Sequence, residues 1–136
     1  MPDQDRSNFI KMLERAPFSA MLGLKIESAA GGSATVRMPF DLRILNEGGP
    51  DAPIHGGAIA ALADVAACAA VWSLAATTRT ATVSLTVNYT GFAVNSDLIA
   101  RARVKRAGKR IASLAVEITD ASGALIADAL VTYKIA

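Results

Sequence analysis

His55-Gly56-Gly57-Ala58-Ile59-Ala60-Ala61-Leu62-Ala63-Asp64, continuing as Val65-Ala66-Ala67-Cys68-Ala69-Ala70-Val71-Trp72, decides how this 136-residue chain is read. Two glycines after a histidine mark a tight backbone turn. The alanine-rich run behind them is built from strong helix formers, with neither Gly nor Pro until past residue 76. From Ala58 to Ala76 the only charge is Asp64. A lone carboxylate in an apolar helix is costly unless it is paired or put to use. The Gly56 and Gly57 amides stand where the helix begins, as free donors at the positive end of its dipole. A turn able to stabilise an anion, followed two turns later by a buried acid, is a candidate active site.

Upstream of that run, the pattern predicts a short amphipathic helix from Asp3 to about Glu14, with Phe9, Ile10, Met12 and Leu13 on its apolar side and Pro17 as its stop. Leu24-Lys25-Ile26-Glu27-Ser28 alternates as a strand. Gly31-Gly32 turn the chain into a second strand, Ser33 to Pro39, as a hairpin partner. Residues 40–54 form a long irregular connection, a length that in a small domain is usually functional or mobile. Downstream lie Thr82–Tyr89, Leu98–Arg106, Ile111–Ile118 and Ala124–Ile135, expected as a four-stranded meander. Helix, hairpin, long helix and meander make an α+β chain, an antiparallel sheet with one central helix to wrap.

Composition narrows the function. The length suits one domain with a real core, and 52% hydrophobic residues with only one Trp, two Tyr and four Phe make that core mostly Ala, Val, Leu and Ile. A net charge of +2 gives no reason to expect nucleic acid. The single cysteine, Cys68, precludes an intrachain disulfide and suits a reducing cytosol, and the polar start does not read as a signal peptide, so a cytoplasmic protein is expected. Residues 56–76 are long enough to span a membrane, but alanine is weakly lipophilic and Asp64 near the centre would cost about 2.5–3.5 kcal/mol. A helix enclosed by protein, without membrane contact, is the better reading. One His, one Cys and scattered acids lack metal-ligand spacing, so neither metal nor cofactor is expected.

These residues resemble the hotdog acyl-CoA thioesterases of the phenylacetate-degradation type, relatives of 4-hydroxybenzoyl-CoA thioesterase. The pattern is Asn46, Gly48 and Gly49 in a loop, His55-Gly56-Gly57, then Leu62-Ala63-Asp64 on the helix. Tyr89, Gly108-Lys109-Arg110, Gly123 and Thr132-Tyr133 match the family's texture, and the similarity runs from about Pro17 to the C-terminus. One departure is a longer Asn46–His55 loop, through Pro50-Asp51-Ala52-Pro53. The resemblance implies a hotdog fold, a curved antiparallel sheet wrapped around one long helix. It also implies an acyl-CoA substrate and a homodimer, commonly a dimer of dimers, in which the acid comes from the other subunit's helix.

Thioester hydrolysis needs a polarised carbonyl and an activated nucleophile. Gly56 is a suitable oxyanion donor, and its missing side chain lets a thioester approach the backbone. Asp64 stands more than two turns further along the helix, at about 1.5 Å per residue, too far to serve the same carbonyl. The paired subunits of the family answer that distance: Gly56 of one chain would face Asp64 of the other. Asp64 would act as general base or as nucleophile. Asn46 or His55 would orient the thioester or the water, and Thr82 falls where some relatives carry a helpful hydroxyl. Gly57 would join Gly56 in binding. The stripe Arg101, Arg103, Lys105, with Arg106, Lys109 and Arg110 near the next turn, could meet coenzyme A phosphates; a solvated strand face explains it too. Two other functions compete. Asp51-Ala52-Pro53-Ile54-His55 resembles a hotdog hydratase signature one residue short, and a non-catalytic acyl-CoA-binding protein would share the fold.

Overall fold

A computed structural model describes residues 3–74 and 79–135. Helix α1 (Asp3–Lys11) runs into a 3₁₀ turn (Met12–Arg15) and a second short helix, α2 (Pro17–Leu22). Pro17 was expected to end a helix; it begins one. At the first helical position its missing N–H costs nothing and its fixed φ suits the helix. Gly23, at φ 70°, then closes α2 in the left-handed conformation. Strands β1 (Lys25–Ala30) and β2 (Ser33–Met38) form the expected hairpin across Gly31 and Gly32, both at positive φ, as a two-residue hairpin turn requires.

After the long connection comes helix α3 (Gly56–Trp72), capped at its C-terminal end by Ser73, so it is shorter than the alanine run suggests. Residues 75–78 of that run lie outside the described residues. The guanidinium of Arg6 donates to the carbonyls of Trp72 and Leu74, and the Phe9 ring stacks on Trp72 at 4.5 Å, so α1 finishes the C-terminal end of α3. Strands β3 (Thr80–Tyr89), β4 (Leu98–Ala107), β5 (Ile111–Asp120) and β6 (Leu125–Ile135) complete a six-stranded antiparallel sheet in the order β1-β2-β4-β5-β6-β3.

That order corrects the expected four-stranded meander. Only β4, β5 and β6 follow one another; β3 crosses to the far edge and pairs with β6. Alternation reports which face a strand buries, not which neighbour it takes. The connection from β3 to β4 is too long for a tight turn and is pinned sideways. Thr90 and Gly91 N–H donate to Ile126 C=O, and Ile54 N–H donates to Ala93 C=O.

The sheet curves round α3, the hotdog arrangement. Alanine makes the wrap close: Ala63, Ala66, Ala67 and Ala70 are fully buried against strands that present Ala100, Ala112 and Ala127, also fully buried. The enclosure is incomplete on one side. Ala61, Asp64, Val65, Cys68 and Trp72, a stripe at helical spacing, are only half-buried, and Asp64, Cys68 and Trp72 meet Thr82 and Thr80 of β3. Among the described residues no helix is long and apolar enough to cross a membrane.

Candidate active site

The His55–Gly57 turn is held by the histidine itself. His55 is the N-cap of α3, in extended conformation, and its Nδ1 accepts the Gly57 N–H at 2.8 Å. The Gly57 amide is therefore not the free donor expected; it is consumed by the cap. Gly57 must also lack a side chain, because a Cβ there would stand 2.9 Å from His55 Nδ1. A ring that accepts at Nδ1 carries its proton on Nε2, so the exposed His55 presents a donor to solvent. Ala58 and Ile59 N–H donate to His55 C=O, whereas the Gly56 N–H makes no hydrogen bond among the described residues. Gly56 is thus the donor the turn leaves open.

Gly56 lines a cavity of about 290 Å³ with Asn46, Ile54, Ile59, Tyr89 and Phe92. Asn46 reaches it because its N–H donates to Pro53 C=O at 2.9 Å, closing the long loop like a hairpin. Tyr89 reaches it from the end of β3. Its hydroxyl donates to Gly56 C=O at 2.7 Å, and its ring lies where a Cβ on Gly56 would come within 3.3 Å. The walls are mostly apolar, and Phe92 stands 84% exposed.

Asp64 is not in that cavity. Eight residues along the helix place it about 12 Å from Gly56, and it is half-buried, not buried as expected. Its Oδ1 accepts from the Thr82 hydroxyl at 2.8 Å and from the Tyr133 hydroxyl at 2.6 Å; the Tyr133 hydroxyl also lies 2.8 Å from Asp64 C=O. Its Oδ2 has no hydrogen bond among the described residues. Burial pushes the Tyr133 hydroxyl far above the ordinary tyrosine range, with Cys68 and the bond to Asp64 adding to it, so it keeps its proton and remains a donor. Burial likewise pushes the Cys68 thiol up to about 11.

The structure therefore brings Gly56 and Asn46 together, and Asp64 with Thr82, as two clusters at two places on α3. The basic residues join neither. Arg101 and Arg103 are exposed on the sheet face turned away from α3, and a bulge between Val104 and Arg106 breaks the predicted stripe. Lys105 is the extra residue, and Arg106 takes the outward position opposite Ser113. Arg106, Lys109 and Arg110 line a shallow recess at the β4–β5 hairpin. Asp51 of the hydratase-like stretch is exposed and makes no bond to His55. Among the described residues no group of three His, Cys, Asp or Glu could hold a metal.

The sequence alone gives neither Tyr89 nor Tyr133 a role. Tyr133 pairs directly opposite Thr82 across β3 and β6, a contact 69 residues from Asp64 in the chain. The one available signal was a tyrosine among the inward-facing Val131 and Ile135.

Residues 53–127 match the family profile of the thioesterase superfamily. A protein of Halobacterium salinarum, provisionally named an esterase, is 35% identical over 95 residues, which span 68% of this chain and 62% of that protein. The phenylacetic acid degradation protein PaaI of Thermus thermophilus, solved as a single-residue variant, shares 28% identity at a TM-score of 0.77, covering 88% of this chain and 98% of that one. A protein of Streptococcus pneumoniae named a hypothetical thioesterase, solved with coenzyme A, has the same fold at a TM-score of 0.81 and 23% identity, covering 93% of this chain and 96% of that one.

Proposed function

The chain belongs to the thioesterase superfamily, and we propose from that premise that it hydrolyses an acyl-CoA thioester to the free acid and coenzyme A. The observation that carries the reading is the division of labour along α3: an unused Gly56 amide in an apolar cavity, and an Asp64 carboxylate with one unpartnered oxygen on the helix's open flank. Each is half of a site. A second copy, paired at the β3 edge, would bring its Asp64 to the first copy's Gly56, so the active species is a homodimer, commonly built into a dimer of dimers. The coenzyme A held by the pneumococcal neighbour supports the substrate class.

In this arrangement the acyl group occupies the cavity and its carbonyl oxygen accepts the Gly56 N–H at the positive end of α3. Asn46 fixes the thioester from the loop side. Asp64 of the second copy takes a proton from water that attacks the carbonyl, or attacks the carbonyl itself; either way negative charge develops on the oxygen at Gly56. The C–S bond then breaks, and the coenzyme A thiolate leaves and takes up a proton. On the water route this gives the free acid directly; on the nucleophile route it leaves an acyl anhydride of Asp64, which water hydrolyses to the free acid and the restored carboxylate. Thr82 steadies Asp64. His55 acts through the turn, keeping Gly57 closed and Gly56 open, and Gly57 contributes as the backbone the cap requires. Arg106, with Lys109 and Arg110, meets the phosphates of coenzyme A.

Thiol release from acetyl-, hexanoyl-, palmitoyl- and benzoyl-CoA tests the activity. For the best substrate, Asp64→Asn should lower kcat by about 10²–10⁴-fold, the range of a lost general base, while the oligomer persists on size exclusion. A variant that hydrolyses as fast as the parent makes Asp64 structural and the mechanism wrong. Crotonyl-CoA that loses its enoyl absorbance without releasing thiol would replace hydrolysis with hydration.

A further inference from the structure

We propose that Tyr133 is a positioning residue for the acid: its hydroxyl holds Oδ1 of Asp64 and leaves Oδ2 as the single carboxylate oxygen free to act. This rests on the thioester-hydrolysis reading above and says which oxygen of Asp64 performs it.

A half-exposed aspartate on a helix flank would ordinarily swing between rotamers, exchanging its two oxygens. Here two hydroxyls from two strands converge on one oxygen. Thr82 and Tyr133 stand directly opposite each other across β3 and β6, so both side chains leave the sheet on the same side, toward α3. A bulge between Thr82 and Ser84 follows immediately, so Thr82 keeps this inward place while Ser84 pairs opposite Thr132 on the outer face. The two donors differ in firmness. Thr82 is exposed on an edge strand, whereas Tyr133 is 2% exposed, on a strand paired on both sides. Tyr133 is the anchor.

A buried tyrosine needs only one acceptor, and the Asp64 carbonyl at 2.8 Å would satisfy it. The contact to the carboxylate is shorter, 2.6 Å, within the range of a charge-assisted O–H···O⁻ bond. The hydroxyl has one proton, and the shorter contact directs it to the carboxylate, so burial alone does not explain the pairing and the bond restrains the side chain. The hydroxyl stays protonated, because its surroundings resist its ionisation. Oδ1 is thereby occupied throughout turnover. The proton from water, or the new bond to the acyl carbon, forms at Oδ2.

Tyr133→Phe removes the hydroxyl and keeps the ring's packing, so the fold should persist; the thermal midpoint checks this. With the best acyl-CoA of the panel, kcat should fall about tenfold while KM stays within about twofold, the signature of misplaced chemistry and not of lost binding. Thr82→Val alone should cost about threefold, and the double variant more than the product of the two, because Oδ1 then loses its last donor. Tyr133→Phe with kcat within about twofold of the parent would overturn the proposal, as would a fall in kcat matched by a rise in KM and a lower midpoint. Asp64→Asn separates the two levels. If it retains parental turnover, the mechanism through Asp64 falls and the role of Tyr133 with it. If the parent releases no thiol from any acyl-CoA of the panel, the hydrolysis reading falls; if Asp64→Asn is inactive while Tyr133→Phe is unaffected, only the role of Tyr133 falls.

Discussion

At the scale of single residues, Asp64 and Cys68 show how one helix flank treats two acids. They are one turn apart and both half-buried, yet Asp64 collects two hydroxyl donors, whereas at the Cys68 sulfur the contacts with the Thr80 hydroxyl, 3.9 Å away, and with Tyr133 are outweighed by burial. Burial therefore dominates at the thiol and raises it to about 11. The consequence for stability has a definite sign. In the unfolded chain the thiol ionises near its ordinary value of 9.0, while the folded protein still holds the proton. Stability is thus complete below about pH 9 and is lost between about pH 9 and 11, by no more than about 3 kcal/mol. Urea midpoints recorded from pH 7 to 10.5 should fall in that window, and Cys68→Ala should flatten the early part of the fall. Identical curves for parent and variant would show that the thiol does not contribute. Asp64 itself was legible in the sequence, as the one charge in an apolar helix. Its partners were not, because Thr82 and Tyr133 are 18 and 69 residues away and meet it only once β3 has paired with β6.

At the scale of elements, the two edges of the sheet differ. The β1 edge is closed: Glu14 Oε1 accepts the Ile26 N–H at 2.6 Å, and Lys11 Nζ donates to Ile26 C=O at 2.7 Å. Two side chains from the preceding 3₁₀ turn and helix thus occupy the groups that another strand would seek. The β3 edge has no such cover among the described residues: ten residues of strand, with Val83 58% exposed at its bulge. An open, long edge is a template for pairing, which supports the dimer proposed here at β3 and not at β1. If the chains pair there, Val83→Lys should convert the dimer to monomer on light scattering and abolish thiol release together, since in the proposed arrangement a lone chain holds only half-sites. A monomer with parental kcat would place the whole site within one chain. Strand identities came directly from alternation. The order of strands did not, because the edge position of β3 depends on where α3 delivers the chain, and no local pattern records it.

At the scale of the whole molecule, the cavity at Gly56 and the cations lie apart. The cavity opens beside the start of α3, whereas Arg101, Arg103 and Arg106 project from the opposite face of the sheet. Sequence could group the cations by alternation, but the bulge at Lys105 regrouped them. Arg106 now stands with Lys109 and Arg110 at the hairpin, and Arg101 is engaged with the Thr119 hydroxyl at 3.2 Å. A thioester linked to coenzyme A carries its phosphates at the end of a long pantetheine arm, so separation from the cavity is what such a substrate needs. If the hairpin cations receive those phosphates, replacing Arg106, Lys109 and Arg110 by alanine should raise KM for the best acyl-CoA about tenfold and leave kcat within about twofold, because the lost contact is the same in the ground and transition states. The same acyl group on pantetheine, which lacks the nucleotide, should show no change in KM. Added salt should weaken parental binding of the coenzyme A ester and not of the pantetheine ester, since exposed charges are screened within about 8 Å at physiological ionic strength. Equal effects on both substrates would return the cations to the role of a solvated strand face and move the phosphate site elsewhere on the protein.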